Sequence, residues 1–234
     1  MIASYLHNFI FIKTRKTAGT TMEVALASCC GPDDIVTPLG PRDEMARSDG
    51  TPVCRSFAAD PAVQAELHRA ILQKDRRAFA RARRKSDFFA HMPAKAIREK
   101  LAPEFWDRAR KITVERHPYE KAVSAAYFNY KEGDDGPFPG FLQTFIEGGS
   151  YATFDVYAIE GKSVIDEFLR QENLDQDLQR LAEKLELQLP PLLPRMKSSS
   201  RLDRRPAREI LSDAQKEAVY SFCRREFELL GYER

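Results

Sequence analysis

The stretch Phe9-Ile10-Phe11-Ile12-Lys13-Thr14-Arg15-Lys16-Thr17-Ala18-Gly19-Thr20-Thr21 decides the fold. Its first four residues form a short apolar run, which is typical of a strand buried on both faces of a parallel sheet. The polar residues that follow include Gly19 and predict a turn. Thr20 and Thr21 are expected to cap a helix that runs on through Leu26. The sequence therefore predicts a strand, a loop and a helix in direct succession.

The same alternation continues along the chain. Ile112-Thr113-Val114 is rich in β-branched residues and predicts a second strand, and Pro118 is expected to open a helix that continues to Tyr130. A third strand is predicted within residues 164–169. Strands that alternate with helices predict an α/β fold of three layers, with a central parallel sheet flanked by helices. No linker divides residues 1–234, so one domain is expected, with residues 31–86 as a variable, partly helical insertion.

Composition narrows the class of protein. Hydrophobic residues make up 43% and charged residues 31%, which indicates a globular protein rather than a disordered one. Lys and Arg number 37 against 35 Asp and Glu, and this balance argues against a nucleic-acid binder. No apolar run approaches the roughly 20 residues that span a bilayer. The N-terminal residues lack a basic stretch followed by an apolar core, so a cytoplasmic location is expected. The cysteine and histidine spacings predict no metal site.

Two segments concentrate positive charge, namely residues 69–85 and 195–208. Each is either a solvated surface or a surface that attracts an anionic ligand.

The loop between Lys13 and Thr21 has the features of a phosphate site. Backbone N–H groups of such a loop and of the following helix N-terminus point toward an anion, and Lys16 adds a cation. The loop fails the Walker A pattern, because no glycine begins it and Lys16 precedes Gly19. The second strand leads into Glu115-Arg116 rather than into an aspartate that would hold magnesium. Both departures weaken the case for a nucleoside triphosphatase.

The segment Lys16-Thr17-Ala18-Gly19-Thr20-Thr21, following an apolar strand, resembles the 5′-phosphosulfate loop of sulfotransferases that use 3′-phosphoadenosine 5′-phosphosulfate (PAPS), particularly the carbohydrate-type and bacterial ones. The resemblance implies a P-loop-like fold and PAPS as co-substrate, with 3′-phosphoadenosine 5′-phosphate (PAP) released and no metal required. It implies that Arg15 and the residues of this segment hold the phosphosulfate. Lys16 would contact the oxygen that bridges phosphate and sulfate.

A second segment, Arg116-His-Pro118-Tyr-Glu-Lys121-Ala-Val-Ser124, resembles the 3′-phosphate element R-x-P-x-x-R-x-x-S of the same family. Arg116 offers a fork of donors, and Ser124 is expected to share a helix face with Lys121, so that its hydroxyl meets the same phosphate. The sequence departs from the family pattern at Lys121, where arginine is frequent, and at Glu115, where an apolar residue is usual.

The resemblance extends to residues 168–178, to the closing helix with Gly231-Tyr232, and to residues 194–201. The last of these occupies the place of a basic loop over the nucleotide, which implies that Lys197 and Arg201 bind it.

Transfer to a hydroxyl also needs a general base. Phe88-Phe89-Ala90 predicts a brief strand that ends at His91, at the sheet edge where α/β proteins bind ligands. His91 is therefore the first candidate for the base, followed by His117 and then Glu115.

The resulting hypothesis is an enzyme that moves a sulfuryl group from PAPS to a hydroxyl or amine, with Lys16 and His91 as catalytic residues. The acceptor is expected to be a carbohydrate or glycoconjugate, including an anionic glycan or glycolipid. A P-loop kinase of a small molecule and a non-catalytic member that binds a nucleotide or anion are the alternatives. The sequence leaves the oligomeric state open.

Overall fold

The structure is a computed structural model that describes residues 1–47, 51–189, 201 and 203–234. Within these residues the strands are β1 (Ile2–Ser4), β2 (Phe9–Phe11), β3 (Ile35–Val36), β4 (Arg110–Glu115), β5 (Ala158–Ile159), β6 (Lys162–Ser163) and β7 (Glu167–Arg170). The α-helices are α1 (Gly19–Ala27), α2 (Pro41–Ala46), α3 (Pro61–Leu72), α4 (Arg76–Arg83), α5 (Ala94–Lys100), α6 (Pro103–Arg108), α7 (Pro118–Asn129), α8 (Phe138–Glu147), α9 (Leu174–Leu185), α10 (Ala207–Ile210) and α11 (Asp213–Leu230).

The central sheet has the strand order β3-β1-β2-β4-β7. Strand β2 pairs in parallel with β4, and β4 pairs in parallel with β7, as the sequence predicts for these three strands. The expectation that the whole sheet is parallel is wrong, because β1 runs antiparallel to both β2 and β3. The four residues between β1 and β2 form a tight turn, and a turn this short can only join antiparallel neighbours. The sheet is therefore mostly parallel, with one opposed strand.

Helices cover both faces of this sheet. Alternate residues of β2 point to opposite sides, so that Phe9 and Phe11 pack with α1 and α9, whereas Ile10 and Ile12 pack with α3, α4, α5 and α6. Residues from within 31–86 contribute to this second cluster, so the segment lies against the sheet. A third cluster joins α7, α8, α10 and α11.

The parallel pairing brings the carboxyl ends of β2, β4 and β7 to one edge of the sheet. Each of these ends leads into a loop or short helical turn and then a helix: α1 after β2, α7 after β4 and α9 after β7. Ligands of open α/β sheets bind at such an edge.

Candidate functional site

A cleft of about 1550 Å³ lies at this edge. It brings together residues that follow all three parallel strands, with His91 from the segment before α5 and Arg201 from the segment before α10. Of the residues predicted to bind the nucleotide or catalyse the reaction, those that line the cleft are Arg15, Lys16, Ala18, Gly19, Thr20, Thr21, His91, Arg116, Ser124 and Arg201. Thr17 belongs to the same loop but is fully buried, and Lys197 lies outside the described residues.

The loop after β2 is shaped by backbone conformations that are uncommon for residues with side chains. Lys16 and Ala18 both have left-handed φ values, of 63° and 67°. The loop is anchored from below, because the Thr14 hydroxyl donates to the carbonyl oxygen of Val114 at 2.6 Å and is bonded to the Thr17 hydroxyl at 2.8 Å. These bonds hold the loop against the end of β4. The Lys16 ammonium lies over the ring of Phe128, with its Nζ 4.0 Å from the ring centroid.

Helix α1 begins at Gly19, and the expectation that Thr20 and Thr21 cap it is wrong. The N-cap residue is Ala18, and among the described residues no side chain caps the helix and no acidic residue lies in its first turn. Thr20 and Thr21 lie inside the first turn instead, since the left-handed Ala18 starts the helix earlier. The positive end of the helix dipole faces the cleft, which favours an anion there.

Gly19 is required by close packing. A Cβ at this position would lie 2.8 Å from the Cγ of Lys13, whose side chain passes beneath the turn. The Lys13 ammonium reaches Glu23 of α1 at 2.5 Å and the Thr20 hydroxyl at 3.3 Å. The sequence interpretation missed this buried ion pair. The one signal for it was a charged residue, Glu23, within an otherwise apolar helix.

A second group of cationic side chains lies at the end of β4. Arg116 is largely buried, and its Nη2 donates to the Glu120 carboxylate at 3.2 Å. Arg201 Nη1 donates to the same carboxylate at 2.5 Å, so one acidic group joins the two arginines. Ser124 lies one helical turn beyond Glu120 and also lines the cleft. Burial lowers the pKa of Arg116, although the guanidinium of arginine stays charged at any physiological pH.

Lys121 does not join Ser124 at the cleft, contrary to the expectation. Its side chain is fully buried on the side of α7 that α11 covers, and its Nζ lies 2.9 Å from Glu115 and 3.6 Å from Glu226. The Thr153 hydroxyl accepts a further hydrogen bond at 2.7 Å. The unusual pair of Lys121 and Glu115 is thus a buried ion pair inside the protein.

His91 lines the cleft, but no strand precedes it. Residues 86–93 form turns and irregular backbone. Phe88 is buried and donates its backbone N–H to the carbonyl of Phe57, and this short apolar run therefore lies outside the sheet. His91 has a left-handed φ of 61°, and its Nδ1 lies 3.1 Å from the carbonyl oxygen of Lys13. A carbonyl only accepts, so Nδ1 carries the proton and Nε2 keeps its lone pair. Burial and the Lys13 charge lower the pKa of His91 to about 4, and the ring is neutral at pH 7.

The other two candidate bases lie away from the cleft. His117 caps α7, where its Nδ1 accepts from the Tyr119 N–H at 3.2 Å and its Nε2 donates to the Glu233 carbonyl at 3.0 Å. Both of its nitrogens are therefore engaged. Glu115 is fully buried with Lys121. His91 is the one of the three that lines the cleft, and its Nε2 has a lone pair that can accept a proton.

Sequence reasoning also missed two walls of the cleft. Phe128, Phe145 and Tyr151 form an aromatic wall, and Phe128 remains 55% exposed. Helix α9 and the turn before it supply polar side chains to the cleft, including Glu172, Gln176 and Gln179. The available signal was the number of aromatic residues in and near α7 and α8, namely Tyr127, Phe128, Phe138, Phe141, Phe145 and Tyr151.

No grouping of His, Cys, Asp and Glu that could hold a metal ion is found in the part of the chain that the structure describes. Among the described helices, none is both long and apolar enough to cross a bilayer. No family model, curated protein or solved structure matches this chain.

Proposed function

We propose that the protein is a PAPS-dependent sulfotransferase with a P-loop-like fold. The observation that carries the proposal is the meeting of two anion-binding groups in one cleft. The loop of Lys16 with the α1 N-terminus suits a 5′-phosphosulfate, and Arg116 with Ser124 suits a 3′-phosphate. The two groups follow neighbouring parallel strands, so a single nucleotide with phosphates at both ends can contact both.

The side chains of the cleft also suit the chemistry. The acceptor oxygen attacks the sulfur, the bond from sulfur to the bridging oxygen breaks, and its electron pair stays on the phosphate of PAP. Lys16 and the α1 N–H groups stabilise the charge that develops on this phosphate. The acceptor proton passes to Nε2 of His91. The negative charge of bound PAPS raises the pKa of His91 from its value in the free protein, which makes the imidazole a stronger base.

The aromatic wall beside Lys16 supports an acceptor with a ring or another apolar face, and a hydroxyl or amine of a carbohydrate or glycoconjugate is the proposed class. A kinase is less well supported. A kinase needs a carboxylate at the end of β4 to hold magnesium, and Glu115 is instead paired with Lys121.

Titration with PAP, by calorimetry with and without magnesium and with ATP for comparison, tests the proposal. We expect metal-independent binding of PAP that Arg116→Ala abolishes. Arg110→Ala is the matched control, because Arg110 begins the same strand at the opposite edge and pairs with Glu167. Magnesium-dependent binding of ATP without binding of PAP would show that the assignment is wrong.

Lys16→Ala tests the catalytic step. We expect a loss of about 10²–10³ in the rate of PAP release from PAPS with an acceptor, and an unchanged thermal midpoint, since the side chain lies at the cleft surface. A variant with near wild-type turnover would remove Lys16 from the mechanism.

A further inference from the structure

One carboxylate, that of Glu120, holds together both arginines at the proposed 3′-phosphate end of the cleft. Its Oε2 accepts from Arg116 at 3.2 Å and from Arg201 at 2.5 Å, while its Oε1 accepts from the backbone N–H of Ala207 at 2.7 Å. Two chain segments that are distant in sequence therefore meet at this side chain, one with Arg116 and Glu120 and the other with Arg201 and Ala207. Neither the composition nor the motif around Pro118 predicts such a role for it.

The charges around Glu120 show that the carboxylate is ionised. Burial alone would raise the pKa of Glu120, but the hydrogen bonds from Ala207 and Arg201 outweigh it, and the pKa is lowered. The side chains of Arg116 and Arg201 are only 18% and 15% exposed, so each is fixed by packing as well as by its ion pair. Two long side chains are thus ordered before any ligand arrives.

The arginines keep donors for a further anion. Each guanidinium has five N–H groups. Arg116 donates from Nη2 to Glu120, while Arg201 donates to Glu120 and to the carbonyl oxygens of Asp203 and Arg205, so each guanidinium keeps N–H groups on its Nη atoms that these bonds do not use. Ser124, one turn along α7 from Glu120, lies on the same side of the helix and lines the same cleft. A phosphate that reaches Arg116, Arg201 and Ser124 therefore meets donors whose directions are already set, which reduces the entropy lost on binding.

We infer that Glu120 is a positioning residue that holds Arg116 and Arg201 as a preformed pair for the 3′-phosphate of the nucleotide. This inference rests on the proposed function. Glu120 acts only on the recognition of that phosphate. The 5′ end of the nucleotide binds to a different loop, so its recognition is independent of Glu120.

The test compares two ligands, PAP and adenosine 5′-monophosphate, which lacks the 3′-phosphate. Glu120→Gln keeps an oxygen for the Ala207 N–H but loses the charge that orders the arginines. We expect its affinity for PAP to fall about tenfold or more, a typical effect for one charge-assisted hydrogen bond, with adenosine 5′-monophosphate affected less than twofold. Glu120→Asp keeps the charge on a shorter side chain and is expected to recover part of the lost affinity.

Glu228→Gln is the matched control, since Glu228 and Arg224 form an ion pair of the same i, i+4 spacing on the exposed surface of α11. It is expected to bind both ligands as the wild type does. An equal loss for both ligands in Glu120→Gln would show a general structural role and overturn the inference, as would unchanged or tighter binding of PAP. Wild-type protein that fails to bind PAP would instead overturn the proposed function, and the inference with it.

Discussion

Replacement of Lys121 by methionine tests the buried ion pair most directly. Charges 2.9 Å and 3.6 Å apart, the distances from Nζ to Glu115 and Glu226, attract each other by about 6 and about 5 kcal/mol at an effective dielectric constant of about 20. Removing the ammonium also removes its own desolvation penalty, of several kcal/mol. The net expectation is a loss of about 3–5 kcal/mol in the free energy of unfolding, the range seen when one partner of a buried pair is removed.

Urea denaturation followed by circular dichroism measures this loss. Globular proteins are stable by about 5–15 kcal/mol, so the variant retains only part of the wild-type stability. The double variant Lys121→Met with Glu115→Gln removes one of the two uncompensated carboxylates, and we expect it to be more stable than Lys121→Met alone. With the single variant Glu115→Gln these proteins form a double-mutant cycle, and its non-additivity identifies the pair itself as the cause.

The same variant separates two roles of Lys121. Because its side chain is fully buried away from the cleft, the folded fraction of Lys121→Met is expected to bind PAP with wild-type affinity. A variant as stable as the wild type that has lost affinity for PAP would refute the reasoning and would place Lys121 at the phosphate.

Three further outcomes follow from the cleft. Gly19→Ala places a Cβ against Lys13. We expect a loss of about 1–3 kcal/mol in the free energy of unfolding, measured by urea denaturation, as overpacking typically causes, and weaker binding of PAP by calorimetry. Wild-type values for both would contradict the close contact. His91→Asn retains a donor for the Lys13 carbonyl and tolerates the left-handed φ, so it is expected to bind PAP but to lose turnover; lost binding would place His91 in the nucleotide site. The pKa of His91 is about 4 in the folded protein against an ordinary 6.5. Between these two pH values the imidazole is protonated in the unfolded protein but neutral in the folded one, so lowering the pH favours unfolding. Wild type should lose up to about 3 kcal/mol of stability between pH 6.5 and 4 relative to His91→Asn, and parallel stability curves would refute this.

The elements predicted from the sequence are those with strong local patterns. Phe9–Phe11 is a continuous apolar run that ends at a polar loop with a glycine, and the structure has strand β2 there followed by α1. Pro118 fixes the start of α7, and the predicted end at Tyr130 is within one residue of the observed one. Local patterns suffice here because the residues that mark these elements, the apolar run of β2 and the proline in the first turn of α7, lie within the elements themselves.

The remainder depends on contacts between distant residues. Phe88 and Phe89 have the composition of a strand, but burial against Phe57 turns the chain instead. The link between Glu120 and Arg201 joins residues 81 positions apart, and a sequence pattern gives no signal for such a contact. The burial of Lys121 also has no signal in the sequence, because it depends on α11, which packs on that side of α7. Strand β1 was missed because three residues are too few to show a period.

Two hydroxyl groups tie strands β2 and β4 together just before the cleft. Thr113 donates to the carbonyl of Ile12 at 2.7 Å, and Thr14 donates to the carbonyl of Val114 at 2.6 Å. These crosslinks fix the spacing between the loop of Lys16 and Arg116. A cleft of fixed span selects ligands by the distance between their anionic groups, so an isomer with its phosphate on the 2′ oxygen would fit less well at equal charge. Salt screens the attraction to both isomers alike, and the preference for one spacing would therefore persist while the overall affinity falls.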